Sequence, residues 1–180
     1  MIEYWQNCFF YSLPVLLSGI FFILTLKQGY FGFLKKPLSL RLFGANKTYL
    51  GFVLMPLYCL LFTFLLSLVL KNGNELYLAQ NLYKSLSLGL FYPLGELPNS
   101  FIKRQLSIAA GKNAPSPGLK AIFFVLDNID SVLACSLCLV FIYGVSLIFV
   151  PGILILGSTF HFSTDCLMFK LKLKQPPAAQ

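Results

Sequence analysis

Long apolar runs, separated by shorter polar and basic segments, fill most of the chain. A membrane core of about 30 Å needs ~20 apolar residues in a helix, and roughly 17 to 25 are tolerated. The pattern predicts five membrane-spanning helices, at 9–26, 49–70, 82–102, 121–142 and 145–168. We therefore expect an all-α integral membrane protein that forms a single transmembrane domain over residues 1–180.

Two of the predicted helices contain residues that interrupt helices. Pro93, Gly95 and Glu96 lie in the third, and Pro151 lies in the fifth. Broken helices persist in a membrane only where protein or water satisfies the freed backbone groups. We therefore expect these two helices to be interrupted where protein or water can satisfy their backbone groups.

Composition supports the membrane assignment, since 57% of residues are hydrophobic and 11% are charged, against about 25% charged in soluble domains. The net charge of +8 does not indicate nucleic-acid binding, because the basic residues are spread over loops rather than along one recognition element. Cys135 and Cys138 have the spacing of a redox or zinc pair. They lie in an apolar helix without a second pair, so we expect them to pack as small hydrophobes.

The basic residues predict the orientation. Twelve of the 14 fall on one side of the five-helix topology, and the positive-inside rule assigns that side to the cytoplasm. The other side has Lys71 and Lys84 alone. This predicts an outside N-terminus and a cytoplasmic C-terminus. The twelve are Lys27, Lys35, Lys36, Arg41, Lys47, Lys103, Arg104, Lys112, Lys120, Lys170, Lys172 and Lys174.

Three acidic residues fall inside the predicted helices. Glu96 precedes Lys103 by seven residues and Asp127 follows Lys120 by seven, so both lie ~10 Å inside the cytoplasmic boundary at 1.5 Å per residue. Asp130 is one turn deeper and shares a helix face with Asp127. The three carboxylates are therefore predicted to meet at one level of the membrane.

Such acids are costly, at ~2.5 to 3.5 kcal/mol each at a helix centre. Ion pairing with Lys103 or Arg104 is one explanation. The alternative, which three acids at one depth favour, is a functional site. Oxygen ligands of this kind suit Mg²⁺, which typically takes one or two carboxylates and completes its shell with water and phosphates.

Basic and hydroxyl residues on the same side are suited to phosphate binding. The third predicted helix carries one polar face, made of Glu96, Ser100, Lys103 and Arg104. Just before the second helix, where backbone N–H groups favour anions, lie Asn46, Lys47 and Thr48. Acids, cations and an apolar surround together indicate phosphoryl or nucleotidyl transfer to a lipid. The chain has neither a P-loop nor a dinucleotide fingerprint.

These motifs resemble a known family. The segments GELPNSFIKR at 95–104 and LDNIDS at 126–131 are similar to the signature of CDP-archaeol synthases, which are related to bacterial phosphatidate cytidylyltransferases. GANKT at 44–48 resembles the first motif of that family, and 161–174 resembles its ending. The resemblance covers about residues 44–174.

The resemblance implies a five-helix, Mg²⁺-dependent enzyme. Together with the orientation predicted from the basic residues, it leads us to expect a protein of the cell membrane whose active site faces the cytoplasm. A lipid phosphate would attack the α-phosphate of CTP, releasing pyrophosphate and leaving a CDP-lipid. The implied metal ligands are Glu96, Asp127 and Asp130, which with Lys103 form the catalytic set. Phosphate clamps would be Lys103, Arg104 and Lys47, and the residues that orient the nucleotide would be Asn46, Thr48 and Ser100.

The chain departs from the family pattern at three positions. Glu96 and Asp165 stand where relatives have Asp and Asn, and Leu50 stands where a charged residue is common. His161 and Asp165 are spaced i, i+4 near the end of the last helix, where a structural pair and a substrate contact are equally compatible with the sequence. The acceptor could be a geranylgeranyl glycerol phosphate, phosphatidate or another lipid phosphate.

Three other functions share some of these sequence features. A CDP-alcohol phosphotransferase would need an Asp-Gly opening, which the chain lacks. A small ion or proton carrier usually has internal repeats and acids near the midplane, and neither is evident. An inactive scaffold derived from the enzyme is the third, and the oligomeric state stays open.

Overall fold

A computed structural model describes residues 2–69 and 75–171. Lys71, Lys172 and Lys174, which entered the orientation count, lie outside the described residues, as does the predicted end of the second helix at residue 70. The described part of the chain forms five α-helices and no strand. They are α1 (Ile2–Gln28), α2 (Tyr49–Val69), α3 (Glu75–Gln105), α4 (Pro117–Tyr143) and α5 (Val150–Lys170).

Four of these helices are long and apolar enough to cross a membrane: α1, α2, α4 and α5, the last together with the short 3₁₀ turn before it. The remaining helix, α3, has 31 residues, or about 46 Å at 1.5 Å per residue. Its length is sufficient, but its charged residues lower its mean hydropathy. The prediction of an all-α membrane protein is confirmed, and four to five of the helices predicted to span the membrane are able to do so. The orientation of the termini stays a prediction.

The predicted interruption of the third helix was wrong, since α3 continues through Pro93 and Pro98. The fifth helix is not broken either. Pro151 lies in its first turn, where a missing N–H costs nothing because that group has no partner within the helix. The helix begins at Val150, five residues later than predicted, because Gly144 in the left-handed conformation ends α4 and a 3₁₀ turn follows.

The helices form a bundle in which α2 packs between α1 and α3, α4 packs on α3, and α5 closes against α1 and α4. Glycines allow two of the closest approaches. A Cβ on Gly89 of α3 would lie 2.5 Å from the Cα of Pro56 in α2. A Cβ on Gly95 would lie 2.6 Å from the Cβ of Ala134 in α4. Small residues at such contacts are typical of helix packing in membranes, and these two fix α3 against both neighbours.

Cysteines contribute to the apolar core between α1, α3, α4 and α5. All five cysteines of the chain are free; Cys8, Cys59, Cys135 and Cys138 are buried and Cys166 is exposed. Cys135 and Cys138 were predicted to pack as small hydrophobes, and they lie in the core cluster with Leu88, Val132, Leu139 and Ile153. Their spacing therefore reflects helix packing.

Candidate active site

The contact between α3 and α4 at Gly95 brings the acidic residues of the two helices together. Besides Ala134, a Cβ on Gly95 would meet the backbone oxygen of Asp130 at 2.7 Å and the Cα of Ser131 at 3.0 Å. The residues that follow Gly95 on α3 are therefore held directly against the acidic segment of α4. Side chains on the two facing surfaces form one hydrogen-bonded network.

Glu96 occupies one end of the network and bridges a loop and two helices. One of its carboxylate oxygens forms an ion pair with the Lys47 ammonium group, and both side chains are about three-quarters buried. Its other oxygen accepts a hydrogen bond from the Ser131 hydroxyl at 3.3 Å. Ser131 also donates to Asp130, through its backbone N–H at 2.6 Å and its hydroxyl at 3.2 Å. Ser131 thus connects the carboxylates of Glu96 and Asp130.

Asp127 occupies the other end of the network. Lys103 donates to both of its oxygens, at 2.6 and 2.7 Å, and lies 5.1 Å from the centre of the Phe123 ring. The Asn99 amide nitrogen donates to Asp127 Oδ1 at 2.7 Å and to Asp130 Oδ2 at 3.0 Å. The Asp127 side chain is 44% exposed, against 24% for Glu96, so its carboxylate is the more accessible of these two from outside the bundle.

Lys47 reaches Glu96 because backbone pairing within the loop before α2 fixes the position of this residue. Pro37 and Thr48 form an isolated antiparallel bridge, in which Leu38 N–H donates to the Lys47 carbonyl at 2.8 Å. Burial alone lowers the pKa of Lys47, but the nearby charges of Glu96, Asp130 and Asp127 raise this pKa above its usual value. The ammonium group therefore stays charged at neutral pH.

Arg104 joins the first motif to the end of α3. Gly44 has a φ of +83°, and a Cβ there would lie 2.9 Å from the Arg104 guanidinium. The Arg104 Nε atom is buried without a hydrogen-bond partner among the described residues. Asn46 lies beside Gly111 of the loop between α3 and α4. The predicted phosphate-binding segments therefore meet at one end of the bundle.

The remaining predicted residues lie around this network. Ser100 follows Asn99 in α3, whereas Thr48 participates in the bridge to Pro37. Leu50, which departs from the family pattern, is completely buried and serves the core. Ion pairing with Lys103 or Arg104 was one explanation offered for the acidic residues within the helices. Lys103 does pair with Asp127, whereas Glu96 pairs with the loop residue Lys47.

His161 of α5 stacks on Tyr92 of α3, with ring centroids 6.2 Å apart, and Asp165 lies one turn further along α5. Tyr92 is itself one turn before Glu96. Both rings line a cavity of about 50 Å³ between α1, α3, α4 and α5, whose other walls include Val15, Leu88 and Val132. An apolar cavity therefore begins one helical turn from the acidic network.

Sequence reasoning missed two members of the network, Asn99 and Ser131. Their spacing carried a signal, since Asn99 is three residues after Glu96 and four before Lys103, and Ser131 is four after Asp127. These intervals place residues on one helix face. Both residues lie inside the motifs, but their side chains are neutral. Buried charge therefore did not single them out.

The carboxylates of Asp127 and Asp130 fit a magnesium ion. Asp127 Oδ1 and Asp130 Oδ2 both lie within 3.0 Å of a single atom, the Asn99 amide nitrogen. Two carboxylates suit Mg²⁺, which usually keeps water and phosphate as its other ligands. No group of three or more His, Cys, Asp or Glu side chains in metal-binding arrangement occurs in the described residues, and Glu96 is engaged by Lys47 and Ser131.

The family model described as CarS-like, CDP-archaeol synthase, matches residues 7–177, nearly the whole chain. Neither the curated proteins nor the solved structures gave a match.

Proposed function

Because this chain belongs to the CDP-archaeol synthase family, we propose that it transfers the CMP group of CTP to a membrane lipid phosphate. An oxygen of the lipid phosphate attacks the α-phosphorus of CTP. The bond from that phosphorus to the oxygen it shares with the β-phosphate breaks, and pyrophosphate leaves. The product is a CDP-lipid of the CDP-archaeol or CDP-diacylglycerol type.

The observation that carries this proposal is the acidic network with its two lysines, which runs in order through Lys47, Glu96, Ser131, Asp130, Asn99, Asp127 and Lys103. Its three carboxylates and two ammonium groups carry a net charge of −1. This charge attracts a dication. Once a dication is bound, the same cluster becomes positive and attracts the phosphates of a nucleotide.

Asp127 and Asp130, with Glu96 beside them, would hold Mg²⁺, which when bound would offset part of the triphosphate charge. Lys103 and Lys47 are then free to exchange carboxylate oxygens for phosphate oxygens, which positions the α-phosphorus. Arg104, beside Gly44 at the mouth of the site, adds a planar donor group that suits phosphate. Asn46, Thr48 and Ser100 would orient the nucleotide by hydrogen bonds.

The cavity between α1, α3, α4 and α5 supports a lipid as the acceptor. Its walls are mainly apolar, and Tyr92 and His161 stand where it approaches Glu96. At about 50 Å³ the cavity would take a short apolar segment of an acyl or isoprenoid chain, and the phosphate of that lipid would then lie near the network. Asp165, one turn from His161, lies towards the end of α5 that carries basic Lys170.

The experiment is an assay of the purified protein in detergent with labelled CTP, Mg²⁺ and a panel of lipid phosphates, in which pyrophosphate release is followed. Release should require both the metal and a lipid phosphate. Asp127→Asn and Asp130→Asn should each abolish it while the thermal unfolding curve stays cooperative. Cation flux through vesicles without pyrophosphate release would favour a carrier instead, and release that survives both substitutions would overturn the assignment of the site.

We further propose a multi-pass protein of the cell membrane whose active site faces the cytoplasm, on the basis of the basic loops. Ala109 lies in the α3–α4 loop and Ser146 in the α4–α5 connection, and both are exposed. In a Cys166→Ser background, a membrane-impermeant maleimide should label Ala109→Cys from the cytoplasmic side and Ser146→Cys from the outside. Labelling of both from one side would contradict this topology.

A further inference from the structure

Asn99 is one of the two buried members of the acidic network, the other being Ser131. Asn99 is 6% exposed and lies on α3 between Glu96 and Lys103. Its amide nitrogen donates to Asp127 Oδ1 at 2.7 Å and to Asp130 Oδ2 at 3.0 Å. Its amide oxygen is buried and has no hydrogen-bond partner in the described part of the chain. The amide nitrogen therefore makes two hydrogen bonds, whereas the amide oxygen makes none within the described residues.

A buried carbonyl oxygen without a donor is uncommon in native proteins and calls for an explanation. The two ends of an asparagine amide have nearly the same shape, so a half turn of the amide exchanges nitrogen and oxygen without repacking the neighbours. After that turn, the oxygen would face the two carboxylate oxygens. Three oxygens facing one another repel unless a cation lies among them, and oxygen is the ligand that Mg²⁺ prefers.

We propose that Asn99 is a ligand of the divalent cation held by Asp127 and Asp130, and that its amide turns when the cation binds. Without the cation, the amide nitrogen holds the two carboxylates at the spacing of the site. With the cation, the amide oxygen replaces the nitrogen and completes a set of three protein oxygens. This inference rests on the proposed function, because it takes the metal site of that proposal as its starting point.

Substitution to aspartate separates a ligand from a simple hydrogen-bond donor. Asn99→Ala removes both ends of the amide. Asn99→Asp supplies oxygen at both ends and has no donor, so it can ligate a cation but cannot bridge the two carboxylates. A ligand role predicts that the aspartate restores metal binding, whereas a donor role predicts that it is at least as harmful as alanine.

The test uses the full chain in detergent and Mn²⁺ alone, whose binding is measured by electron paramagnetic resonance, with no nucleotide or lipid. We expect Asn99→Ala to weaken Mn²⁺ binding at least tenfold and Asn99→Asp to bind as tightly as the unsubstituted chain or more tightly. Because Asn99→Asp places a further carboxylate beside those of Asp127 and Asp130, its melting temperature without metal should fall, and it should rise more on adding Mn²⁺ than that of the unsubstituted chain. Both readouts are taken without nucleotide or lipid, so they do not depend on catalytic activity.

Asn128→Ala is the matched control. Asn128 lies on α4 between the two aspartates in sequence, and its amide nitrogen donates to the Phe124 carbonyl of its own helix at 2.8 Å. Its oxygen is also buried without a partner, so its loss removes a comparable amide outside the network. Mn²⁺ affinity should be unchanged in this variant.

Two results would overturn the inference in distinguishable ways. If the unsubstituted chain binds Mn²⁺ in a manner that Asp127→Asn abolishes, but Asn99→Ala binds equally well or Asn99→Asp binds no better than Asn99→Ala, the ligand role of Asn99 fails and the proposed function stands. If the unsubstituted chain does not bind Mn²⁺, the metal site of the proposed function fails together with the inference.

Discussion

Adding one methyl group at Gly95 should uncouple the two acidic segments, because this residue sets how closely α3 approaches α4. In Gly95→Ala the new Cβ would lie 2.6 Å from the Ala134 Cβ, whereas ordinary contact is at 3.4–4 Å. The helices must therefore separate by roughly 1 Å at this level. The bond from Asn99 to Asp130, now 3.0 Å, would stretch beyond hydrogen-bonding range.

The expected magnitude follows from that displacement. A misplacement of about 1 Å in a reacting site costs about 10²-fold in rate, and overpacking of a tight contact costs ~1–3 kcal/mol of stability. Pyrophosphate release from CTP, measured with saturating Mg²⁺ and lipid phosphate, should therefore fall about 10²-fold in Gly95→Ala. Part of it should return in Gly95→Ala with Ala134→Gly, since the second change removes the nearest atom but leaves the Asp130 carbonyl.

Gly118→Ala in the first turn of α4 is the matched control, because a Cβ there would meet nothing within 4 Å. It should keep the rate and the melting temperature of the unsubstituted chain. If Gly95→Ala behaved in the same way as Gly118→Ala, the close helix contact would not be what positions the acidic network.

The other predictions concern the cations. Lys103→Ala should raise the KM for CTP about tenfold or more, as expected for loss of a charge-assisted hydrogen bond of ~1.5–3 kcal/mol, while Lys84→Ala, at the other end of the same helix, should leave it unchanged. Lys47→Met should lower the free energy of unfolding by an amount near the lower end of the ~3–5 kcal/mol seen for broken buried ion pairs. Thermal unfolding of the double variant with Glu96→Gln should show that part of this stability is recovered. If the losses of the two single variants were instead additive, the ion pair would be excluded. Pyrophosphate release should stop with excess chelator and return with Mg²⁺, and release that persists would remove the metal from the reaction.

Hydropathy predicted the five helices well because the membrane imposes a length and a composition that local sequence displays. It failed at α3, where Pro93 was expected to interrupt a helix that in fact continues. Packing of α2 and α4 at Gly89 and Gly95 holds both sides of α3, and such tertiary support overrides local propensity. That support depends on neighbours far away in sequence and leaves no mark in the local pattern.

The site was predictable as a set of charges but not as a set of partners. The depth of Glu96, Asp127 and Asp130 was set by counting residues from basic loops, and these acids belong to one network. The pairing of Lys47 with Glu96 spans 49 positions. It depends on how the loop before α2 folds onto the bundle, which no periodicity encodes.

The cysteine distribution makes the native chain convenient for spectroscopy. Four thiols are buried and Cys166 alone is exposed, directly after Asp165 on the last helix. A fluorophore coupled to this single accessible sulfur would report on that end of α5 without any engineered substitution. Arrival of a nucleotide or a lipid could then be followed as a change in emission in the otherwise unmodified protein.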